Sequence, residues 1–72
     1  MYNGTEILKQ FGRNVKAERI RKGLTQEALA EKIGVNREYI SKIERGTANM
    51  SLKKIVSLTN FIGADIKDIL KF

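Results

Sequence analysis

Apolar residues recur every three or four positions along most of the chain, which is the spacing of amphipathic α-helices. Five such stretches can be separated, and four of them end at a glycine, a residue that commonly closes a helix in the left-handed conformation. These glycines are Gly23, Gly34, Gly46 and Gly63. Valine and isoleucine nowhere alternate with polar residues for long enough to indicate a strand. The pattern therefore predicts an all-α fold of five short helices.

Candidate N-cap residues mark where these helices begin. The first helix is predicted from about Thr5, its expected cap, to Lys22, with Leu8, Phe11 and Val15 on one face. The later helices are predicted to start just after Thr25, Asn36, Ser51 and Asp65. Their apolar positions are Leu29, Ala30 and Ile33 in the second, Ile40 and Ile43 in the third, Leu52, Ile55, Leu58 and Ile62 in the fourth, and Ile66, Ile69 and Leu70 in the fifth.

The second and third predicted helices form the most informative segment, residues 26–45, which reads QEALAEKIGVNREYISKIER. Ala30 provides a small residue where two steeply crossing helices approach each other, and Gly34 provides a turn position without a β-carbon penalty. Apolar residues occur on both inner faces. This arrangement predicts a helix-turn-helix with its core at residues 25–45. A helical hairpin with no nucleic-acid role is the alternative.

The outward side of the third predicted helix carries the candidate base contacts. An α-helix fits the major groove of DNA, where each base pair presents a distinct pattern of donors and acceptors. Arg37 can donate two hydrogen bonds to guanine, and Glu38 can accept one from cytosine or orient Arg37. Ser41 and Lys42 can reach bases or phosphates. A solvated charged helix face has the same composition and remains the alternative for each residue.

Phosphate contacts are expected where helices begin, because free backbone amides and the helix dipole favour an anion there. Thr25 and Gln26 begin one such helix, and Asn36 begins the next. Simple helix capping by Thr25 and Asn36 is compatible with the same residues. The polar segment after the third helix is expected to lie along the DNA backbone and to position the domain without specifying sequence. Its candidate contacts are Arg45, Thr47 and Asn49.

Composition and charge narrow the class of partner. The chain has 72 residues, and its 42% of apolar residues suffice for one compact core and one domain over residues 1–72. Basic residues outnumber acidic ones by 14 to 8, and the net charge of +6 favours a polyanionic partner. Neither cysteine nor histidine is present, which excludes disulfides and the usual zinc sites. Because no membrane-spanning run or secretory signal is recognisable, we expect a cytoplasmic, nucleoid-associated location.

Enzymatic activity is not expected from this composition. Nucleophilic catalysis needs a side chain with an adjacent base, and neither Ser41 nor Ser51 has one. No carboxylate pair stands apart from the helix-surface pattern. No cofactor and no small-molecule ligand are therefore expected. The basic residues are instead assigned to a long-range electrostatic field and to phosphate contacts, among them Lys9, Arg13, Lys16, Arg21 and Lys22.

The C-terminal region, residues 60–72, has more apolar side chains than one face of two short helices can bury. The excess predicts a twofold dimer interface. Such a dimer would place two recognition helices roughly one DNA turn, about 34 Å, apart. The residues assigned to this interface are Phe61, Ile62, Ile66, Ile69, Leu70 and Phe72.

The segment GLTQEALAEKIGVNREYISKIERG resembles the helix-turn-helix core of the phage-repressor (Cro/CI, or XRE) family of bacterial and phage regulators. The similarity extends over nearly the whole chain, from Phe11 to Leu70. It implies a five-helix, lambda-repressor-like domain that binds a palindromic operator in double-stranded DNA as a homodimer. It also implies that Gln26 contacts phosphate and nearby bases. The positions that the resemblance turns toward the groove are Asn36, Arg37, Glu38, Ser41 and Lys42.

Within this family, NREYISKIERGTANMSL is most similar to the controller proteins of restriction-modification systems. The similarity gives Tyr39 a place near the DNA, with packing on the helix surface as the alternative. Ala48 occupies a position where a basic residue would be unsurprising in such a protein. The family resemblance further implies a partly buried ion pair between Arg19 and Glu44 that joins the first helix to the third.

Two function classes follow from these patterns. The first is a transcription regulator, for which RNA polymerase is a further partner if the operator lies at a promoter. The second is a protein-interaction module such as an antitoxin, in which DNA binding is secondary. Antitoxins usually carry an extra segment that covers their partner, and little of this chain lies outside the domain.

Overall fold

A computed structural model describes residues 2–72 of the chain. Over these residues the regular structure consists of five α-helices without a strand, so the all-α prediction is confirmed. The helices are α1 (Gly4–Arg21), α2 (Gln26–Ile33), α3 (Arg37–Arg45), α4 (Leu52–Ile62) and α5 (Ile66–Ile69). None of the helices described is apolar over enough of its length to cross a membrane.

The helix starts follow the predicted caps, with one exception. A side-chain oxygen accepts a hydrogen bond from a first-turn backbone amide at each of the later helices, and the four residues are Thr25, Asn36, Ser51 and Asp65. The prediction that Thr5 caps α1 is wrong. Asn3 caps α1 instead, because its Oδ1 accepts from the Thr5 amide over 2.8 Å and asparagine is the stronger N-cap residue.

Side chains from all five helices meet in one core. Its buried apolar members are Phe11, Val15, Leu29, Ala30, Ile40, Ile43, Leu58, Ile62 and Ile69. The prediction that Leu52 faces inward is wrong, since it is 74% exposed at the first position of α4 and does not reach the core. Ile66 and Leu70 are 38% and 36% exposed, so Ile69 is the residue of the short α5 that is fully buried in the interior.

The backbones of α1 and α3 approach each other more closely than any side chain would permit. A β-carbon placed on Gly12 would lie 2.5 Å from the carbonyl oxygen of Ile43 and 2.6 Å from that of Glu44. Just beyond α3, a β-carbon on Gly46 would lie 2.7 Å from the α-carbon of Lys9. The C-terminal end of α3 therefore packs directly against α1. This contact fixes the position of α3 relative to α1.

Asn14 attaches the end of the chain to α1. Its side-chain Nδ2 donates to the carbonyl oxygens of Ile69 and Lys71 over 3.0 and 2.9 Å. Its Oδ1 accepts from Gln10 Nε2 over 3.0 Å, so this buried amide is hydrogen-bonded at both ends. The contact holds α5 against α1 and places Ile69 in the core.

Candidate nucleic-acid interface

The third helix divides into a buried side and an exposed side. Ile40 and Ile43 are fully buried, because they repeat at three-residue spacing on the side that packs against α1 and α2. The opposite side is polar, with Glu38, Lys42 and Arg45 at three- to four-residue spacing and all exposed. Arg37 is exposed at the first turn, and Ser41 is half-buried at the edge of this side. The outer side of α3 is thus uncovered by the rest of residues 2–72.

An ion pair lies along this outer side. Arg45 Nη2 donates to Glu38 Oε1 over 3.1 Å, and both side chains are more than half exposed. The two residues are two helical turns apart, so their side chains extend toward each other along the helix. An exposed pair of this kind contributes less than about 1 kcal/mol, so it can open at little cost when another partner approaches.

A polar cleft lies where α2 and α3 begin. It has a volume of about 470 Å³ and is lined by Arg19, Thr25, Gln26, Glu27 and Arg37. Helix starts present amides without intrahelical acceptors, and the exposed Arg37 adds a positive charge, which together favour an anion. The charge of Arg19 is matched by Glu44, and the exposed Glu27 opposes an anion at one edge of the cleft.

Thr25 and Asn36, the two cap residues predicted to contact phosphate, each use one side-chain oxygen for helix capping. Thr25 Oγ1 accepts from the Ala28 amide over 3.0 Å, and Asn36 Oδ1 accepts from the Glu38 amide over 2.7 Å. The Thr25 hydroxyl hydrogen and the Asn36 amide hydrogens are still available as donors. Both residues are exposed, so capping and a phosphate contact are compatible.

Arg19 and Glu44 form a buried, two-point ion pair between α1 and α3. Arg19 Nε donates to Glu44 Oε2 over 2.6 Å, and Arg19 Nη2 donates to Glu44 Oε1 over 3.1 Å. The side chains are 9% and 3% exposed. Arg19 Nη1 also donates to the Leu24 carbonyl oxygen over 2.7 Å, which ties the pair to the segment before α2.

Tyr39 lies on a different side of α3 from the exposed polar residues. It is half-buried and packs against the core at an apolar groove of about 330 Å³ between α2, α3 and α4. Val35, Met50 and Leu58 are among the groove's other lining residues. Tyr39 thus packs on the helix surface, and its place near the DNA stays a prediction.

The segment between α3 and α4 alternates between the interior and solvent. Ala48 and Met50 are half-buried against the core, whereas Thr47 and Asn49 are exposed. Thr47 Oγ1 donates to the Lys42 carbonyl oxygen over 3.2 Å, which holds the segment against the end of α3. Thr47 therefore lies at the C-terminal end of α3, and Asn49 is exposed two residues further along the chain.

The predicted dimer interface is not one surface in the structure. Assigning Ile62 and Ile69 to it was wrong, because they are 3% and 0% exposed and fill the chain's own core. Phe61 lies beside α2, where its carbonyl oxygen accepts from Lys32 Nζ over 3.0 Å. Phe72 lies on the far side, in a cleft that it shares with the N-terminal part of α1. The helical spacing of these apolar residues in the sequence does not by itself show that they lie on different sides of the molecule.

A different apolar surface lies on the outer side of α4 and α5. Leu52 and Val56 are 74% and 50% exposed one turn apart on α4, and Val56 shares a shallow groove with Ala64 and Ile66. We call Leu52, Val56, Ala64 and Ile66 the α4–α5 face. The four-residue spacing of Leu52 and Val56 is the sequence signal for the α4–α5 face. The signal was missed because Leu52 was assigned to the core.

The fold and this site define a helix-turn-helix DNA-binding protein: two short helices joined by a tight turn, with the polar side of the second one uncovered. The HTH_3 helix-turn-helix family model matches residues 15–69. The chain belongs to this family and is a DNA-binding transcription regulator rather than an enzyme.

Relatives and solved structures agree with this assignment. The chain is 41% identical to the control protein C.BamHI of Bacillus amyloliquefaciens, over all of this chain and 88% of that protein. It superposes on the restriction-modification controller protein C.AhdI from Aeromonas hydrophila with a TM-score of 0.78 and 35% identity, over 86% of this chain and 94% of the other. The controller protein C.Esp1396I was solved as a tetramer in complex with its natural 35 base-pair operator. Superposition on it gives a TM-score of 0.74 and 34% identity, over 90% of this chain and 96% of the other.

Proposed function

We propose that this protein binds a palindromic operator as a homodimer and reads it with the outer side of α3. The observation that carries the proposal is that this side is exposed while the opposite side is fixed in the core. Arg37 is the main candidate for guanine, Glu38 for cytosine, and Ser41 and Lys42 for bases or phosphates. Specificity then comes from α3, and the remaining contacts position the domain.

The proposed phosphate contacts surround α3. Thr25 and Gln26 line the polar cleft at the start of α2, and Asn36 caps the start of α3. Thr47 and Asn49 lie exposed beyond the other end of α3. Arg45 joins them when its exposed pair with Glu38 opens. Basic residues of α1 add to the attraction at long range, so binding should weaken steeply with added salt.

The homodimer is proposed to form through the α4–α5 face. Its large apolar side chains are exposed next to one another, which is unfavourable in water unless a partner covers them. A second copy is the occupant that fits a twofold-symmetric operator, because an isologous contact repeats the same surface on both chains. The relative C.Esp1396I occupies its operator as an oligomer.

We further propose that the biological role is that of a restriction-modification controller protein. Support comes from the similarity to C.BamHI, C.AhdI and C.Esp1396I over most of both chains. A regulator of this kind acts in the cytoplasm on the nucleoid, and an operator at a promoter brings it close to RNA polymerase.

Selection of bound DNA from a random pool tests the operator proposal. The full-length protein should enrich a palindrome whose half-sites are roughly one helical turn apart. A control selection with Arg37→Ala should relax one position in each half-site and leave the others. Enrichment of no sequence at all, or of the same sequence by both proteins, would contradict base reading by α3.

Sedimentation of the free protein tests the homodimer. We expect dimer at tens of micromolar and a concentration-dependent shift toward monomer on dilution. A single monomeric species at tens of micromolar would contradict the proposed dimer.

A further inference from the structure

The buried ion pair has a third member at the edge of the DNA-facing surface. Gln26 Nε2 donates to Glu44 Oε1 over 3.1 Å, and the same oxygen accepts from Arg19 Nη2. Gln26 is the first residue of α2 and is half-buried at the polar cleft. A single carboxylate from α3 therefore connects α1, α3 and the start of α2.

We propose that Glu44 is a positioning residue for DNA binding, which holds the Gln26 side-chain amide so that its second N–H is directed to a phosphate of the operator. This inference rests on the proposed function, in which Gln26 contacts the DNA backbone. It gives the Arg19–Glu44 pair a role beyond joining two helices.

The chemistry of the two side chains fixes the orientation of the Gln26 amide. An ionised carboxylate only accepts hydrogen bonds, whereas a glutamine amide donates from its nitrogen and accepts at its oxygen. Rotating the amide by half a turn would place Gln26 Oε1 against Glu44 Oε1, so that two acceptors would face each other. The nitrogen therefore stays on the side of Glu44, and its remaining hydrogen is free for an outside acceptor.

Arg19 makes this arrangement compatible with DNA. A carboxylate beside a phosphate would repel it, but the two-point contact with Arg19 neutralises the charge of Glu44. Because the pair is buried and Arg19 is also anchored to the Leu24 carbonyl oxygen, the acceptor for Gln26 is held rigidly before DNA arrives. A donor fixed in advance loses less conformational entropy on binding than a freely rotating one.

A double-mutant cycle in the full-length protein tests the inference. Arg19→Met with Glu44→Leu replaces the pair by apolar side chains of similar size, which preserves folding in many proteins and removes the acceptor for Gln26. Combined with Gln26→Ala, it is measured on the selected operator at fixed salt. Each change alone should weaken binding about tenfold, the size of one backbone contact, and the two together no more than about tenfold.

Lys42→Ala is the matched control, because Lys42 is exposed on α3 and makes no side-chain bond to Glu44 among the described residues. Its effect should multiply with that of the pair replacement. Unchanged operator affinity in the folded pair replacement, or losses that multiply with Gln26→Ala, would overturn the positioning role. The affinities of the wild-type protein for operator and for random DNA are compared first. Equal affinities for the two DNAs would reject the proposed function. A preference for operator, combined with losses that multiply between Gln26→Ala and the pair replacement, would reject only this inference.

A second measurement applies if the pair replacement does not fold. In the wild-type protein without DNA, NMR relaxation of the Gln26 side-chain NH2 group, assigned by its loss in Gln26→Ala, should show the restricted motion of an immobilised side chain. Addition of operator should shift one of its two protons more than the other. Relaxation typical of a mobile surface glutamine in the absence of DNA would contradict the proposed positioning.

Discussion

The α1–α3 crossing and the α4–α5 face are the two regions of the molecule that differ most in how the chain completes its own contacts. At the crossing, backbone meets backbone at Gly12, and the charges of Arg19 and Glu44 are buried and matched. On the α4–α5 face, Leu52 and Val56 are 74% and 50% exposed to solvent.

The two regions differ in role: one positions α3 within the chain, and the other is available for assembly with a second chain. The crossing holds α3 in place through contacts within one chain, which need no second molecule. The α4–α5 face leaves apolar area exposed, and the proposed homodimer would cover it. In the proposed dimer, the crossing would fix each DNA-reading surface and the α4–α5 contact would set the distance between the two.

Removing one member of the buried pair should have the largest effect on stability. Glu44→Ala leaves the Arg19 charge buried without a partner, which costs about 3–5 kcal/mol of the free energy of unfolding. The control is Glu38→Ala in the same helix, whose exposed pair with Arg45 contributes less than about 1 kcal/mol. Thermal denaturation compares the two, and a shift below one degree for Glu44→Ala would show that the pair does not stabilise the crossing.

Adding one methyl group at the crossing should be the next largest effect. In Gly12→Ala the new β-carbon meets two carbonyl oxygens within 2.6 Å, and overpacking of this kind costs about 1–3 kcal/mol. Gly4→Ala is the control, since nothing lies within 4 Å of a β-carbon there, and it should change stability by less than about 0.5 kcal/mol. Urea denaturation measures the free energy of unfolding of both variants. Equal values for Gly12→Ala and Gly4→Ala would mean that α1 and α3 are not in close contact.

A charge on the α4–α5 face should change assembly rather than folding. Val56→Glu is expected to raise the dimer dissociation constant at least about tenfold, or about 1.4 kcal/mol, because it buries an unmatched carboxylate at the interface. Phe61→Glu is the matched control on the same helix, because Phe61 lies beside α2 and outside that face. Sedimentation at several concentrations checks both, and dissociation by Phe61→Glu alone would move the interface to the α2 side.

Much of the fold is predictable from the sequence because its rules are local. A cap residue and a closing glycine act within one turn, so the bounds of α2, α3 and α4 are predicted from Thr25, Asn36 and Ser51 and the glycines that follow. The first cap was misassigned because Asn3 and Thr5 are both suitable and lie two residues apart. The exposed polar side of α3 followed from the spacing of its apolar residues.

What the sequence did not reveal depends on contacts between distant residues. Gly12 lies inside a helix, where a glycine has no local purpose, and its role appears only when α3 crosses it. The interface residues were predicted as one cluster because they are close along the chain. In three dimensions Ile62 and Ile69 point inward, and Phe61 and Phe72 lie on separate sides.

The most direct test of base reading by α3 is the ratio of affinities for operator and random-sequence DNA, measured at one salt concentration for the wild-type protein and for Arg37→Ala. Loss of a bidentate base contact should weaken operator binding by about 1–3 kcal/mol and leave random-sequence binding nearly unchanged, so the ratio should fall about five- to 150-fold. Equal losses on both DNAs would make Arg37 a phosphate contact and contradict the account.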